Sequence, residues 1–244
     1  SKMIKQLIIL IQFMTRIPVF VNVEYDEEKL GKSIKYFPLV GAIIGIFLYG
    51  INILAGKITV NRQIAAMIII IAEIFITGLI HIDGLADTAD GLFSYAEKEK
   101  ILEIMKDSRV GTNGAVALIL YFMTKVILLS EIRPEYIILY PVISRLSTSI
   151  NAGLGEYARK NGMSNGIIGK NGKKEAGISI IITMILSFII LKAKGLIILI
   201  FAILFILLLM KGVKRKIGGI TGDTMGASLE LTSILVLLAG VVLK

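Results

Sequence analysis

Long apolar runs alternate with shorter polar stretches along the chain, and that alternation sets the first expectation. A helix that crosses a bilayer needs ~20 mostly apolar residues. Seven segments approach that length: Phe37–Ala55, Ile64–Ile82, Gly114–Leu129, Tyr136–Leu154, Ile178–Leu191, Leu196–Met210 and Ala227–Leu243. An eighth apolar run, Ile4 to Phe20, is interrupted by Arg16 and Pro18 and predicts an interfacial or re-entrant helix. The pattern therefore predicts an all-α, polytopic transmembrane helical bundle of about six to seven spanning helices, with that N-terminal helix beside it. Composition agrees: 55% of the 244 residues are hydrophobic and the mean hydropathy is +0.82. No polar stretch is long enough for a separate soluble domain, so residues 1–244 read as one integral membrane domain.

Charge adds a direction. The net charge is +9. In a soluble protein this would suggest nucleic acid, but here it follows the bias of Lys and Arg towards cytoplasmic loops. With the N-terminus inside, segments 1–36, 83–112, 155–177 and 211–226 hold nineteen of the 27 basic residues, and the outer segments hold six. The expected location is the cell membrane, multi-pass, with the N-terminus and the acidic segments on the cytoplasmic side and the lipid bilayer as a partner. No nucleic acid partner is expected, and homo-oligomerisation is left open. Cysteine is absent, which removes disulfides and thiolate metal ligands. The N-terminal apolar run is too short, and lacks a following small-residue site, to read as a cleavable signal.

The inner segments also carry the chemistry. Asp83, Asp87 and Asp90 stand at i, i+4 and i+7, which on a helix is one stripe, with Ala86 leaving room beside them. Three like charges so close repel unless a cation lies among them, and hard divalent ions take carboxylate oxygens. His81, the single histidine, is a candidate substrate or phosphate contact. Asp107 and Arg109 lie in a turn with Gly111 and Gly114, just before an apolar helix. There Arg109 could hold a phosphate and Asp107 could ligate metal. Asp223 and Glu230, again at i and i+7, form a second acidic stripe, with Glu230 expected a turn or two inside the bilayer. Arg145 lies within a span and could face the same site. Lys125 is expected to snorkel, and Glu73 to pair with a basic group. The segment 162–174 is rich in Gly, Asn and Lys but lacks phosphate-loop spacing, and reads as a basic loop or lid. Polar residues gathered at one face, not at the midplane, favour an enzyme over a transporter.

These motifs, in order, resemble the membrane-bound cobalamin synthases, or adenosylcobinamide-GDP ribazoletransferases. The resemblance runs from Phe13-Met14-Thr15-Arg16-Ile17-Pro18, through Phe37-Pro38-Leu39-Val40-Gly41, to the acidic motif His81-Ile82-Asp83-Gly84-Leu85-Ala86-Asp87-Thr88-Ala89-Asp90-Gly91. It continues through Asp107-Ser108-Arg109-Val110-Gly111 and ends with Thr221-Gly222-Asp223, Gly226, Ala227 and Glu230. It implies a Mg²⁺-dependent transferase. The activated adenosylcobinamide phosphate of adenosylcobinamide-GDP passes to α-ribazole or its 5′-phosphate, GMP leaves, and adenosylcobalamin or its 5′-phosphate forms. It also implies roles: Asp83, Asp87 and Asp90 as catalytic acids, and His81, Arg109, Arg145 and Thr221 as substrate or phosphate contacts. Asp83, Asp87, Asp90, Asp107, Asp223 and Glu230 would be the Mg²⁺ ligands. Two rival readings are a lipid-forming enzyme of the CDP-alcohol phosphotransferase kind and a cation channel or transporter. The first expects Arg after Asp-Gly-x2-Ala, where this chain has Asp87.

Overall fold

The computed structural model describes residues 2–21, 27–159, 168 and 172–243. All regular structure among them is helical. The helices are α1 (Lys2–Met14), α2 (Glu27–Ser33), a 3-10 turn (Ile34–Tyr36), α3 (Phe37–Ile58), α4 (Arg62–Thr77) and α5 (Ile80–Leu92). They continue as α6 (Lys98–Ile104), α7 (Thr112–Glu131), α8 (Glu135–Leu154), α9 (Gly172–Ile217) and α10 (Gly222–Val242). Most of the 162–174 segment lies outside the described residues.

Four stretches are long and apolar enough to cross a membrane: 29–58, ending in α3, then α7, α9 and α10; the bent pair α4–α5 makes a fifth. α9 has 46 residues, ~69 Å if straight, over twice the thickness of the hydrocarbon core. It is not straight. Lys192 has non-helical angles (φ 52°, ψ −135°), and a Cβ on Gly195 would collide with the backbone of Ser187. Residues eight apart on a straight helix are ~12 Å apart, so the chain doubles back here. Its two arms are the two runs expected at 178–191 and 196–210, turning at the short Lys-flanked link between them.

α8 is the centre of the bundle. Its length suits a span, but Ser144, Arg145, Ser147, Thr148, Ser149 and Asn151 make it too polar to count as one by hydropathy, and all are buried. Small residues let its neighbours reach the backbone. At Gly41 and Gly45 of α3, a Cβ would strike the α8 backbone at Pro141 and Ile138. The lipid side shows the reverse pattern. On α7, Val116, Ile119, Leu120, Met123 and Ile127 are exposed at helical spacing, while Tyr121 and Lys125 face inward. In hydrocarbon the polar groups must find partners inside the protein, so the apolar stripe points outward.

Two expectations change in detail. The apolar run 64–82 is not one helix. α4 ends at Gly78 (φ 71°), Leu79 is also left-handed (φ 65°), and α5 departs at 96°. Apolarity continues through the break, so a hydropathy pattern cannot see it. At the N-terminus the helix is shorter than the apolar run. α1 stops at Met14, ahead of Pro18, and is too short to span.

Candidate active site

The polar loops meet at one end of the bundle. Ile220 and Tyr157 form an isolated bridge, and the Ile220 amide donates to the Glu156 carbonyl at 2.8 Å. Lys214 pairs with Glu156 at 3.0 Å, and the start of α9 at Gly172 touches Gly153 at the end of α8. Onto this face open α5, the N-terminus of α7 and the N-terminus of α10.

α5 is a continuous helix despite Gly84 and Gly91, so Asp83, Asp87 and Asp90 do share a stripe. Glycine at 84 has a specific use. A Cβ there would lie 2.7 Å from the Asp223 carbonyl oxygen, so α10 packs directly on the α5 backbone. A Cβ on Gly226 would likewise come within 3.0 Å of the His81 carbonyl. The two acidic stripes are therefore held against each other. Asp87 lies within direct Coulomb range of Asp83, Asp223 and Asp90, with Arg159 as the nearby counter-charge.

Each carboxylate has its own anchor. Asp223 sits at the start of α10, where the helix dipole favours negative charge. Its Oδ2 accepts from Arg159 Nη2 at 2.9 Å and from the Thr221 hydroxyl at 3.3 Å. Thr221 is fully buried and is the N-cap of α10, with its Oγ1 accepting the Thr224 amide at 3.2 Å. It orients Asp223 and has no free face for a substrate. Asp90 is engaged differently. Its two oxygens accept the amides of Gly111 at 2.7 Å and Gly114 at 2.8 Å, which are the N-cap and third residue of α7. It ties α5 to α7 as a cap supplied from more than twenty residues away. Side chains at 111 or 114 would collide with it, which accounts for both glycines.

The remaining sequence candidates fall elsewhere. Asp107 and Arg109 form an exposed pair, with Arg109 Nη2 to Asp107 Oδ2 at 2.7 Å and the Arg109 amide donating to Oδ1 at 3.0 Å. Those Arg109 hydrogen bonds hold the Asp107 carboxyl down at about 2. Asp107 is thus turned to its neighbour, apart from the α5 stripe. Glu230 lies in the interior. Its Oε2 accepts from the Tyr121 hydroxyl and is 3.8 Å from Lys125 Nζ. Lys125, 2% exposed at its side chain, also pairs with Glu73 at 2.7 Å, and Tyr140 donates to Glu73 at 2.9 Å. So Glu73 finds its expected basic partner, whereas Lys125 does not snorkel. Arg145, 1% exposed, lies within Coulomb range of Glu230, Tyr140 and His81. Together Glu73, Glu230, Lys125 and Arg145 balance as two acids and two bases. The expected six-acid ligand set is therefore divided: Asp83, Asp87, Asp90 and Asp223 together, Asp107 at an exposed turn, and Glu230 in a separate interior network. Among the described residues no three His, Asp or Glu side chains form a ready-made ion site.

His81 Nε2, Arg145 Nε, Thr88 Oγ1 and Arg159 Nε are enclosed and unpaired among the described residues. Arg159, the ion-pair partner of Asp223 at 2.9 Å, is a residue that sequence pattern did not single out. It lies 64 residues from Asp223, in a loop whose only signal was its positive charge.

Fold and site together define a polytopic membrane protein with an acid-lined mouth at the convergence of three helices. The sequence profile of the Cobalamin-5-phosphate synthase family matches residues 6–241. The chain belongs to that family. It is 41% identical to the adenosylcobinamide-GDP ribazoletransferase of Fusobacterium nucleatum, covering 94% of each chain. It is 43% identical to that of Clostridium acetobutylicum, over 93% of this chain and 92% of the relative. With that of Clostridium novyi it shares 39% over 96% of each. No solved structure matches the chain. Family membership sets aside the lipid phosphotransferase and the cation transporter.

Proposed function

We propose that this protein joins adenosylcobinamide-GDP to α-ribazole or its 5′-phosphate, as its relatives are named to do, and that the reaction takes place at the Asp83–Asp87–Asp223 mouth. The observation that carries this is the convergence of α5 and α10. Carboxylates more than 130 residues apart in sequence meet at one end of the bundle, with Arg159 beside them. A ribose hydroxyl oxygen bonds to the cobinamide phosphorus. The pyrophosphate bridge breaks and GMP leaves with the bonding electrons. The hydroxyl proton passes to a carboxylate. Asp87 and Asp83 are the free acids placed for that step, because both oxygens of Asp90 already accept backbone amides. Arg159 holds Asp223 in place and presents positive charge to the phosphates.

The donor set suits Mg²⁺, a hard cation commonly bound by one or two carboxylates together with substrate phosphates. That habit agrees with Asp83, Asp87 and Asp223 lying close without forming a closed cage. Bound there, the ion would neutralise charge on the pyrophosphate and the leaving GMP. Asp90, Asp107 and Glu230 are not needed for it. The basic bias of the loops supports a mouth that opens to the cytoplasmic side.

Purified protein in detergent or nanodiscs, given donor, α-ribazole and Mg²⁺, should release GMP in step with corrinoid product. Absence of GMP under conditions where the protein is folded would overturn the reading.

A further inference from the structure

A second cleft, of about 560 Å³, opens where the end of α1 meets the α4–α5 break. Phe13, Arg16, Gly78, Leu79 and Asp83 are among the residues that line it. Arg16 is held in place. Its amide donates to the Ile76 carbonyl at 2.7 Å, and its side chain lies against Gly78, where any Cβ would collide with Nε. Gly78 thus serves both its left-handed angle and the seat of the guanidinium. Among the described residues no carboxylate lies within ion-pair distance of Arg16, so a positioned cation lines the cleft. Asp83 lines the same cleft, and Phe13 offers an aromatic side chain that is 41% exposed. Cation, aromatic surface and carboxylate in a space of this size match a mononucleotide.

The cleft's place along α5 bears on which nucleotide it takes. Asp83 and Asp90 are ~10 Å apart along the helix. The Arg16 cleft lies at the Asp83 end, and the N-terminus of α7 lies at the Asp90 end. Phosphoryl transfer in line needs the attacking and leaving groups on opposite sides of the phosphorus. The cleft is too small for the donor's corrinoid portion, and its single arginine suits one phosphomonoester.

We propose that this cleft is the acceptor subsite and that Arg16 binds the 5′-phosphate of the acceptor nucleotide. This rests on the transferase reading above and deepens it. Initial rates of GMP release should be measured for wild type, Arg16→Ala and Arg16→Lys, with α-ribazole and separately with its 5′-phosphate. In Arg16→Ala the KM for the phosphorylated acceptor should rise roughly ten- to hundredfold, the loss of a charged hydrogen-bonded contact. Arg16→Lys should recover part of it. The KM for α-ribazole and the KM for the donor should stay unchanged. Equal rises for both acceptors, or a rise for the donor alone, would overturn the subsite while leaving the transferase intact. Wild type that releases no GMP with either acceptor would instead remove the parent reading.

Discussion

Two groups of charged residues sit in neighbouring parts of the same bundle and obey opposite rules. At the mouth, Asp83, Asp87, Asp90 and Asp223 have Arg159 as the counter-charge near Asp87, and the cluster is open to solvent. In the interior, Glu73 and Glu230 are matched by Lys125 and Arg145, and every member is buried. A buried charge without a partner is too costly to keep, so an interior network must balance itself. A solvent-facing cluster can stay unbalanced, because water and counter-ions screen its charge. Under the proposed function, the residual charge marks Asp83, Asp87 and Asp223 as the groups that serve the reaction, while Asp90 caps α7.

The largest expected effect breaks the interior balance. Lys125→Met leaves two carboxylates facing each other and should destabilise the protein by about 3–5 kcal/mol, read by denaturant unfolding in detergent. A loss below about 1 kcal/mol would mean that the network does not hold the bundle. Next comes the mouth: Asp83→Ala should lower kcat by roughly a hundredfold or more while leaving the unfolding midpoint in place. Asp90→Asn should give a smaller, mixed effect. The amide can accept only one of the two backbone N–H groups, so about 1–2 kcal/mol of stability is lost, and activity falls only as far as α7 shifts. Near-complete inactivation with full stability would make Asp90 a catalytic acid instead.

The smallest effect is at the exposed pair. The ordinary Asp107 carboxyl, near 3.8, is held at about 2 by Arg109. A lowered value means that its contribution to the folded state is complete above 3.8 and is lost as pH falls through about 2. Between pH 5 and 8 that contribution is fully present, so Asp107→Asn should remove the small stabilisation of an exposed ion pair by the same amount across this range and leave turnover unmoved. A marked fall in turnover would bring the 107–109 turn into the active site.

Much of this was legible in the sequence, for a physical reason. Membrane crossing requires contiguous apolar residues, and helical spacing fixes which side chains share a stripe. Hence the spans, the reversal near Lys192 and the alignment of Asp83, Asp87 and Asp90 could all be read from pattern. Tertiary partners could not. Asp90 and Asp83 look equivalent in the motif. Only the approach of Gly111 and Gly114 makes one a cap and leaves the other free. Asp223 and Glu230 share a stripe, yet two turns of α10 carry one to the mouth and the other into the Lys125 network. The bend at Gly78 and Leu79 was hidden because the apolar run continues through it. Arg159 was hidden because its partner is distant in the chain.

The contrast between mouth and interior is tested most directly by one paired measurement on Asp87→Asn and Glu230→Gln, following GMP release and thermal unfolding on the same preparations. Asp87→Asn should keep the wild-type unfolding temperature and lose roughly a hundred- to thousandfold in kcat, while Glu230→Gln should unfold at a lower temperature and retain turnover below that point. Full activity in Asp87→Asn, or a stable but inactive Glu230→Gln, would contradict the assignment of reaction to the mouth and of stability to the interior.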